Sequence, residues 1–344
     1  MKKRRQDKEQ EIHPFWIVCL LLGIILLPLF PSKYVVYLAN LMGIAVIGSV
    51  GLNLLMGYTG QVSIGHAAFM AIGAYASTIL QVKTGLPFWV ALPMGGAFAA
   101  IIGLVVGVPC LRLSGLYLAI ATMGFGFIIE TAIVYWRGMT NGAEGLVVQR
   151  AVLGSITINT DRSNYFLIYA VVVILVYLAK NIEDSRTGRA FVSIRDSEEA
   201  AQTTGVSLFK YKLLAFAISS FYAGVAGGLF ANLIGFISPE NFDLMLSIQY
   251  LVMLVVGGLG SLWGAILGAM FITLLPEGIR FIKPFLPQAL AVNQGFYPFI
   301  YGMTMIIFMI FEPQGLYGRW LKIKIYYKLF PLSPKQLKKR SRWR

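Results

Sequence analysis

The sequence predicts an all-α protein, a polytopic transmembrane helical bundle of about ten spans, and three features of its composition predict this. Of the 344 residues, 57% are hydrophobic and only 13% are charged. The mean hydropathy of +0.72 excludes a soluble enzyme, a disordered chain and a disulfide-stabilised mini-domain. Glycine occurs 36 times, as expected where small residues let membrane helices approach closely.

Long apolar runs define the candidate spans. The first run follows the cationic leader and ends in Leu27–Pro31, with no small-residue cleavage site, which favours an uncleaved span over a signal peptide. The sixth, eighth and ninth runs are short. In chain order, the ten spans lie near residues 14–31, 34–56, 62–81, 88–108, 116–136, 165–179, 213–236, 244–258, 261–276 and 296–312.

The distribution of lysine and arginine predicts the sidedness of these spans. With the N-terminus inside and ten alternating spans, the inside segments contain 22 of the 29 Lys/Arg, so both termini are predicted to be cytoplasmic. The predicted regions are a basic leader (1–13), a transmembrane domain (14–318) with a cytoplasmic loop (180–212), and a basic tail (319–344). The tail mixes ten cations with aromatic residues, which favours binding to membrane lipid over nucleic acid.

The topology also predicts an internal repeat. Spans 2–5 and 7–10 would form two four-helix sets that are offset by five spans, so the second set would be inverted in the membrane. Inverted repeats of this kind recur in transporters, where the substrate pathway lies between them. The inference comes from topology alone, because the two halves show no clear sequence match.

Polar residues and glycines interrupt the apolar pattern between spans 2 and 3, over residues 51–75. Non-helical backbone at membrane depth is tolerated where it is buried in protein or lines a wet cavity. A broken helix here would present backbone groups to a passing solute; the alternative is an ordinary turn with a packing histidine whose hydrogen-bonding groups are satisfied. The candidate translocation-pathway residues are Asn53, Gly60, Gln61, Ser63, Gly65 and His66.

Other chemistry-bearing residues are sparse. Glu130 is the mid-span acid candidate, although it lies near enough to the end of its span to reach the interface. Cys19 and Cys110 have no metal spacing and are expected to be inert. The sequence has no phosphate-binding glycine loop and no metal cluster, so we predict no catalytic residues, no metal and no bound cofactor.

The cytoplasmic loop contains a short helix with clear start and stop signals. Ser197 is a suitable N-cap, Glu198 and Glu199 favour the first turn, and Gly205 suits a left-handed C-terminal cap. A helix of about two turns needs a surface on which to dock. A partner protein is one such surface, and a capped helix without a partner is the alternative.

Residues 51–75 resemble the signature of the permeases of branched-chain amino acid ABC importers. Glu199-Ala200-Ala201 followed by Gly205 resembles the core of the EAA motif of importer permeases, whose later Ile and Leu-Pro are replaced here by Ala215 and Ala217-Ile218. Residues 141–146 and 311–316 also resemble family stretches. The similarity covers about residues 35–320.

The resemblance implies a membrane permease subunit, not itself an enzyme, that imports branched-chain amino acids by alternating access. Its implied partners are two ABC ATPase subunits, which would bind ATP and Mg²⁺, a second homologous permease and an extracytoplasmic amino-acid-binding protein. It also implies a location in the plasma (inner) membrane of a prokaryote. The implied ATPase-coupling residues are Glu198, Glu199, Ala200, Ala201 and Gly205.

Three other functions stay open at this stage. Related permeases carry urea, short amides or other amino acids. An ion-coupled secondary transporter would need an intramembrane carboxylate, for which Glu130 is the candidate. A structural membrane anchor would need no pathway at all.

Overall fold

The computed structural model describes residues 32–110, 113, 115–153, 156–157, 160–282, 296–312 and 315–329. The predicted leader, the first predicted span and the tail beyond residue 329 lie outside these residues. The α-helices are α1 (Lys33–Thr59), α2 (His66–Thr84), α3 (Phe88–Cys110), α4 (Leu116–Tyr135), α5 (Arg137–Thr140), α6 (Asp161–Asp184), α7 (Arg186–Asp196), α8 (Glu198–Thr203), α9 (Leu208–Ile234), α10 (Leu244–Gly257), α11 (Leu262–Ile282), α12 (Phe296–Phe311) and α13 (Gly315–Leu329).

Short strands and turns complete the fold. Strand β1 (Leu146–Val147) pairs antiparallel with β4 (Phe236–Ile237), and β2 (Val152–Leu153) pairs antiparallel with β3 (Ile156–Thr157). Two 3-10 turns cover Gly142–Glu144 and Pro239–Phe242.

Each predicted span from residue 34 onward corresponds to one helix, which confirms the all-α bundle. Among the described residues, seven helical segments are long and apolar enough to cross a membrane. Helix α2 carries too many polar residues to be counted with them, and α12 is shorter. Helix α6 extends well beyond the predicted span 165–179, because the polar residues on both sides of that apolar run continue the helix. The total of ten spans stays a prediction.

Helices α1 and α9 form the centre of the bundle. In the most apolar 18-residue segment of each helix, 72% of the residues are buried in α1 and 67% in α9, against 28% in α4 and 33% in α6. The apolar faces of α4 and α6 are therefore available to lipid or to a partner, whereas α1 and α9 are enclosed by their neighbours.

The helix contacts follow the pattern that the predicted repeat requires. In the first set α2 packs on α3, and in the second set α10 packs on α11. The first helix of each set lies against the second and third helices of the other set: α1 against α10 and α11, and α9 against α2 and α3. The inversion of the second set stays a prediction.

Glycines set the closest of these helix contacts. A Cβ on Gly73 of α2 would overlap the backbone of Gly224 on α9, and a Cβ on Gly268 of α11 would overlap the Met253 carbonyl of α10. The predicted packing role of these small residues is thus confirmed. Gly264 and Gly268 of α11 lie in this packing, whereas Gly260 lies in the α10–α11 turn with a φ of 75°.

Loop contacts separate the bundle into two ends. We call the end that carries residues 185–207 the loop end, and the end that carries β1 and β4 the strand end. Each end joins segments that the Lys/Arg pattern predicts on the same side. At the loop end these contacts are Arg195–Gly57, Gln61–Lys212 and Gly315–Gly258, and at the strand end they are Leu146–Ile237, Lys83–Gly138 and Arg280–Tyr34.

We predict that Gly227→Ala destabilises the protein, because a Cβ there would overlap the carbonyl oxygen of Met70 across the α2–α9 contact. Overpacking of this kind costs about 1–3 kcal/mol. Thermal unfolding in detergent measures the effect. Gly124→Ala on α4 is the matched control, because no described atom outside its own helix backbone lies within 4 Å of its Cβ position. Equal Tm values for the two variants would contradict the prediction.

Candidate functional site

Helix α8 has the start and stop that its sequence predicts. The Ser197 side-chain oxygen accepts a hydrogen bond from the backbone N–H of Ala200 at 3.2 Å. Thr204 caps the other end, and Gly205 follows with a φ of 81°, a left-handed conformation that favours glycine. The predicted short helix is confirmed, with six residues.

One face of α8 is held by the chain and the other faces outward. Ala201 is 1% exposed and packs against the body of the protein. Glu198 forms an ion pair with Lys212 at 2.7 Å, and the Lys212 side chain is only 11% exposed. Glu199, Ala200 and their neighbours on the outer face are exposed. The helix is therefore anchored, but its outer surface is free within the described chain.

Helix α7 supplies the support on which α8 rests. Its first turn is capped by Ser185, whose side-chain oxygen accepts from the N–H groups of Thr187 and Gly188. Phe191 and Ile194 are buried in the contacts that α7 makes with α1, α6 and α9. This packing fixes α7, and with it α8, to the loop end.

Arg195, in the last turn of α7, connects this support to the transmembrane helices. Its Nη1 donates to the Gly57 carbonyl of α1 at 3.0 Å, and its Nη2 lies 3.1 Å from Asp196 Oδ1. No local sequence pattern marks this residue, because its partner Gly57 is remote in the chain.

The break between α1 and α2 extends from the loop end into the bundle. Gly60 ends α1 in the left-handed conformation, and the Gln61 amide donates to the Lys212 carbonyl at 3.3 Å. Farther along, the Ile64 N–H donates to Thr122 Oγ1 at 3.0 Å, and the Ala67 N–H donates to Ser247 Oγ at 2.9 Å. The protein therefore satisfies these backbone groups where no helix can do so.

The predicted pathway residues are buried around this break, apart from Gly60, which is exposed. Asn53 is fully buried; its amide donates to the Ser261 carbonyl and accepts from the Gly260 N–H, both at 3.0 Å. Ser63 accepts from the Gly65 N–H. Their polar atoms join parts of the chain to one another, and a role of these residues in a pathway stays a prediction.

His66 is enclosed at the start of α2. It is 2% exposed, its ring centroid lies 5.0 Å from that of Tyr250, and its Nε2 has no hydrogen-bond partner among the described residues. The burial and the ring contact suit a packing histidine, whereas an Nε2 atom without a partner among the described residues does not match the satisfied histidine of the alternative interpretation.

A shallow open cleft lies beside the break, and the space in it that the centre of a water-sized sphere can occupy is about 10 Å³. The first residues of α2 and α10 and one face of α4 line this cleft, and two of the lining side chains are carboxylates. The lining residues are Ile64, Ala67, Ala68, Met123, Gly126, Phe127, Glu130, Phe242, Asp243, Leu244 and Ser247. Sequence analysis identified the segment next to the cleft and Glu130, but none of the six predicted pathway residues is among the lining residues.

Two further stretches with a family resemblance have structural roles. Asn141 is in the left-handed conformation and starts the tight turn that leads to β1. At the other end of the chain, Glu312 accepts a hydrogen bond from Lys322 at 2.8 Å and joins α12 to α13. The tail was not predicted to contain the helix α13.

The fold and these sites define a class, the multi-pass membrane permeases. Residues 34–309 match the family model described as branched-chain amino acid transport system, permease component. The chain belongs to this family.

Curated relatives agree with the family match. The chain is 34% identical over 325 residues to the high-affinity branched-chain amino acid transport system permease protein LivM of Escherichia coli strain K12, covering 88% of this chain and 74% of that protein. It is 33% identical, with the same coverage, to LivM of Salmonella typhimurium strain LT2. The autoinducer 2 import system permease protein LsrC of Enterobacter sp. strain 638 is 28% identical over 53% of this chain and 54% of its own length. No solved structure matches the chain.

We predict that Asn53→Leu lowers the Tm, because it leaves the Gly260 N–H and the Ser261 carbonyl without this partner inside the bundle. A buried polar group without a partner costs about 1–3 kcal/mol. The control is Thr78→Val, since the buried Thr78 hydroxyl has no partner among the described residues. The control should keep or raise the Tm; an equal loss in both variants would refute the role of Asn53.

Proposed function

We propose that this permease is the translocation subunit of an ATP-driven importer, with α8 as the docking site for an ATPase. The observation that carries the proposal is the six-residue helix on the loop end, anchored by Ala201 and the Glu198–Lys212 ion pair and exposed elsewhere. A helix this short is unstable alone, so the chain has fixed it in place on a rigid support. An exposed, fixed helix is suited to insertion into a groove of a partner.

The proposed assembly contains two ATPase subunits, a second homologous permease and an extracytoplasmic binding protein. ATP and Mg²⁺ would bind at the ATPases. The exposed apolar faces of α4 and α6 suit a partner permease or lipid. The Lys/Arg pattern favours a cytoplasmic loop end and cytoplasmic termini in the plasma membrane of a prokaryote.

The cleft is the proposed part of the translocation pathway in this chain. Alternating access would open it to one side of the membrane at a time, as ATP binding and hydrolysis shift the populations of two states. Its carboxylates, Glu130 and Asp243, suit the ammonium group of an amino acid, and Met123, Phe127 and Leu244 offer apolar surface to an aliphatic side chain. Together with the LivM relatives, this lining favours branched-chain amino acids over urea or short amides.

We predict that Glu130→Gln raises the KM for leucine in proteoliposomes that contain the whole assembly. Loss of one charged hydrogen bond costs about 1.5–3 kcal/mol, which corresponds to a roughly tenfold or larger rise in KM. Uptake should still depend on ATP, because Glu130 has no coupling role in this proposal. Glu240→Gln, the same change at an exposed residue of the 3-10 turn Pro239–Phe242, is the control.

In the same proteoliposomes, the rates of uptake of leucine, isoleucine, valine, urea and acetamide are compared. If urea or acetamide is taken up faster than leucine, the proposed substrate class is wrong. If Glu130→Gln abolishes uptake and wild-type uptake follows a proton gradient at constant ATP, the secondary transporter is the better function.

We predict that Glu199→Lys uncouples ATP hydrolysis from uptake while the protein still inserts and unfolds at the same temperature. Glu199 is exposed and has no structural bond in the described chain, so reversal of its charge changes the docking surface alone. Uptake and ATPase activity of the reconstituted assembly measure the effect. Asp184→Lys is the control, because it makes the same charge reversal at the end of α6, outside the proposed docking helix.

A bulky side chain at Gly205 gives a second readout of the same surface. No atom of the described chain lies within 4 Å of a Cβ there, so Gly205→Trp would project outward into the docking site. Gly205→Asn is the control, because asparagine tolerates the left-handed conformation. Normal uptake by both Glu199→Lys and Gly205→Trp would refute docking at α8.

A further inference from the structure

Arg195 lies where the docking helix, the broken segment and the α10–α11 turn meet. It lies in the last turn of α7 and precedes the Ser197 cap of α8 by two residues. Its backbone therefore moves with α8, while its side chain reaches into the membrane-spanning helices. From this loop it contacts Gly57 of the first set of helices and Gly260 of the turn between α10 and α11 in the second set.

The Arg195 guanidinium is held in a fixed orientation. Its Nε and Nη2 donate to Asp196 Oδ1 at 3.2 and 3.1 Å, which directs Nη1 toward the Gly57 carbonyl. The planar fork of arginine suits this double engagement, which the single ammonium of lysine cannot reproduce.

Glycines make room for this side chain on both sides. A Cβ on Gly60 would lie 3.3 Å from Arg195 Cγ, and a Cβ on Gly260 would lie 2.6 Å from Nη1. Any other residue at position 260 would therefore displace the guanidinium or strain the turn, since the φ of Gly260 is 75°. The close fit makes the contact sensitive to small shifts of α7.

Both elements that Arg195 touches lead to the cleft. Gly57 and Gly60 end α1 and begin the broken segment, whose far end places Ile64 at the cleft. Gly260 follows α10, whose first residues, including Ser247, line the cleft from the other set of helices. A 14-residue helix such as α10 carries a displacement about 21 Å as a rigid body.

A second connection runs from α8 to the same break. Glu198 binds Lys212, and the Lys212 carbonyl accepts from Gln61. This connection reaches the α1–α2 segment and α9. Arg195 adds a direct contact from α7 to Gly260, beside the hydrogen bonds by which Asn53 joins α1 to the α10–α11 turn.

We propose that Arg195 is a positioning residue that transmits displacement of α8 to both walls of the cleft, through Gly57 and Gly260. The inference rests on the proposed function, since it assumes that an ATPase moves α8. In this proposal Arg195 does not contact the substrate. Its contacts make the broken segment and α10 move together with α8.

The test is Arg195→Gln in the reconstituted assembly, with leucine as substrate and with ATP hydrolysis and uptake measured together. Uptake per ATP hydrolysed should fall about tenfold, within the usual range of coupling energies. Co-purification of the ATPases and the rate of hydrolysis should be unchanged. Arg189→Gln is the control, because this exposed arginine of the same helix donates to the Asp184 carbonyl of α6. It should couple normally.

Arg195→Lys provides a second variant if the glutamine variant folds poorly. It keeps the cation and the aliphatic stem, so it should fold and restore part of the coupling. Uptake per ATP equal to wild type in both variants would overturn the inference, and so would a parallel loss of Tm, hydrolysis and uptake, which is the mark of a purely structural residue. Failure of the wild-type chain to bind ATPases would instead refute the proposed function itself.

Discussion

The break between α1 and α2 places non-helical backbone inside a membrane bundle, where no water satisfies its polar groups. The chain meets this constraint with side chains from several helices: Thr122 of α4 and Ser247 of α10 accept from the segment, and Gln61 donates to the start of α9. Each of these bonds attaches the break to a different helix. The break is therefore a junction whose position depends on the whole bundle.

Small residues allow the helices around this junction to pack closely against one another. Glycines let α9 lie against α2, and they let α11 lie against α10, at backbone contact. Helices packed so tightly move as units, because interiors at this density transmit displacement and do not absorb it. The loop end, the break and the cleft thus form one continuous physical connection from α8 to Ile64 and Ser247.

Local signals in the sequence predicted most elements, but not the way in which they meet. Apolar runs predicted the helices, and the cap chemistry of Ser197 and Gly205 predicted α8. The polar ends of α6 and the helix α13 were missed because apolar periodicity does not mark them. The pairing of Arg195 with Gly57, the β1–β4 ladder and the cleft join distant residues, and a single sequence carries no local trace of such contacts. The polar residues predicted for the pathway stand out because they interrupt an apolar pattern, and Asn53, Gln61 and Ser63 form hydrogen bonds within the bundle. A role of these residues in a pathway stays a prediction.

In the proposed function, partner ATPases drive this chain through α8. The most direct measurement compares leucine accumulation in liposomes that contain the chain alone with accumulation in liposomes that contain the full assembly. The account predicts accumulation in the full assembly with ATP, and none in the chain alone under an imposed proton or sodium gradient. Accumulation by the chain alone, without nucleotide, would contradict it.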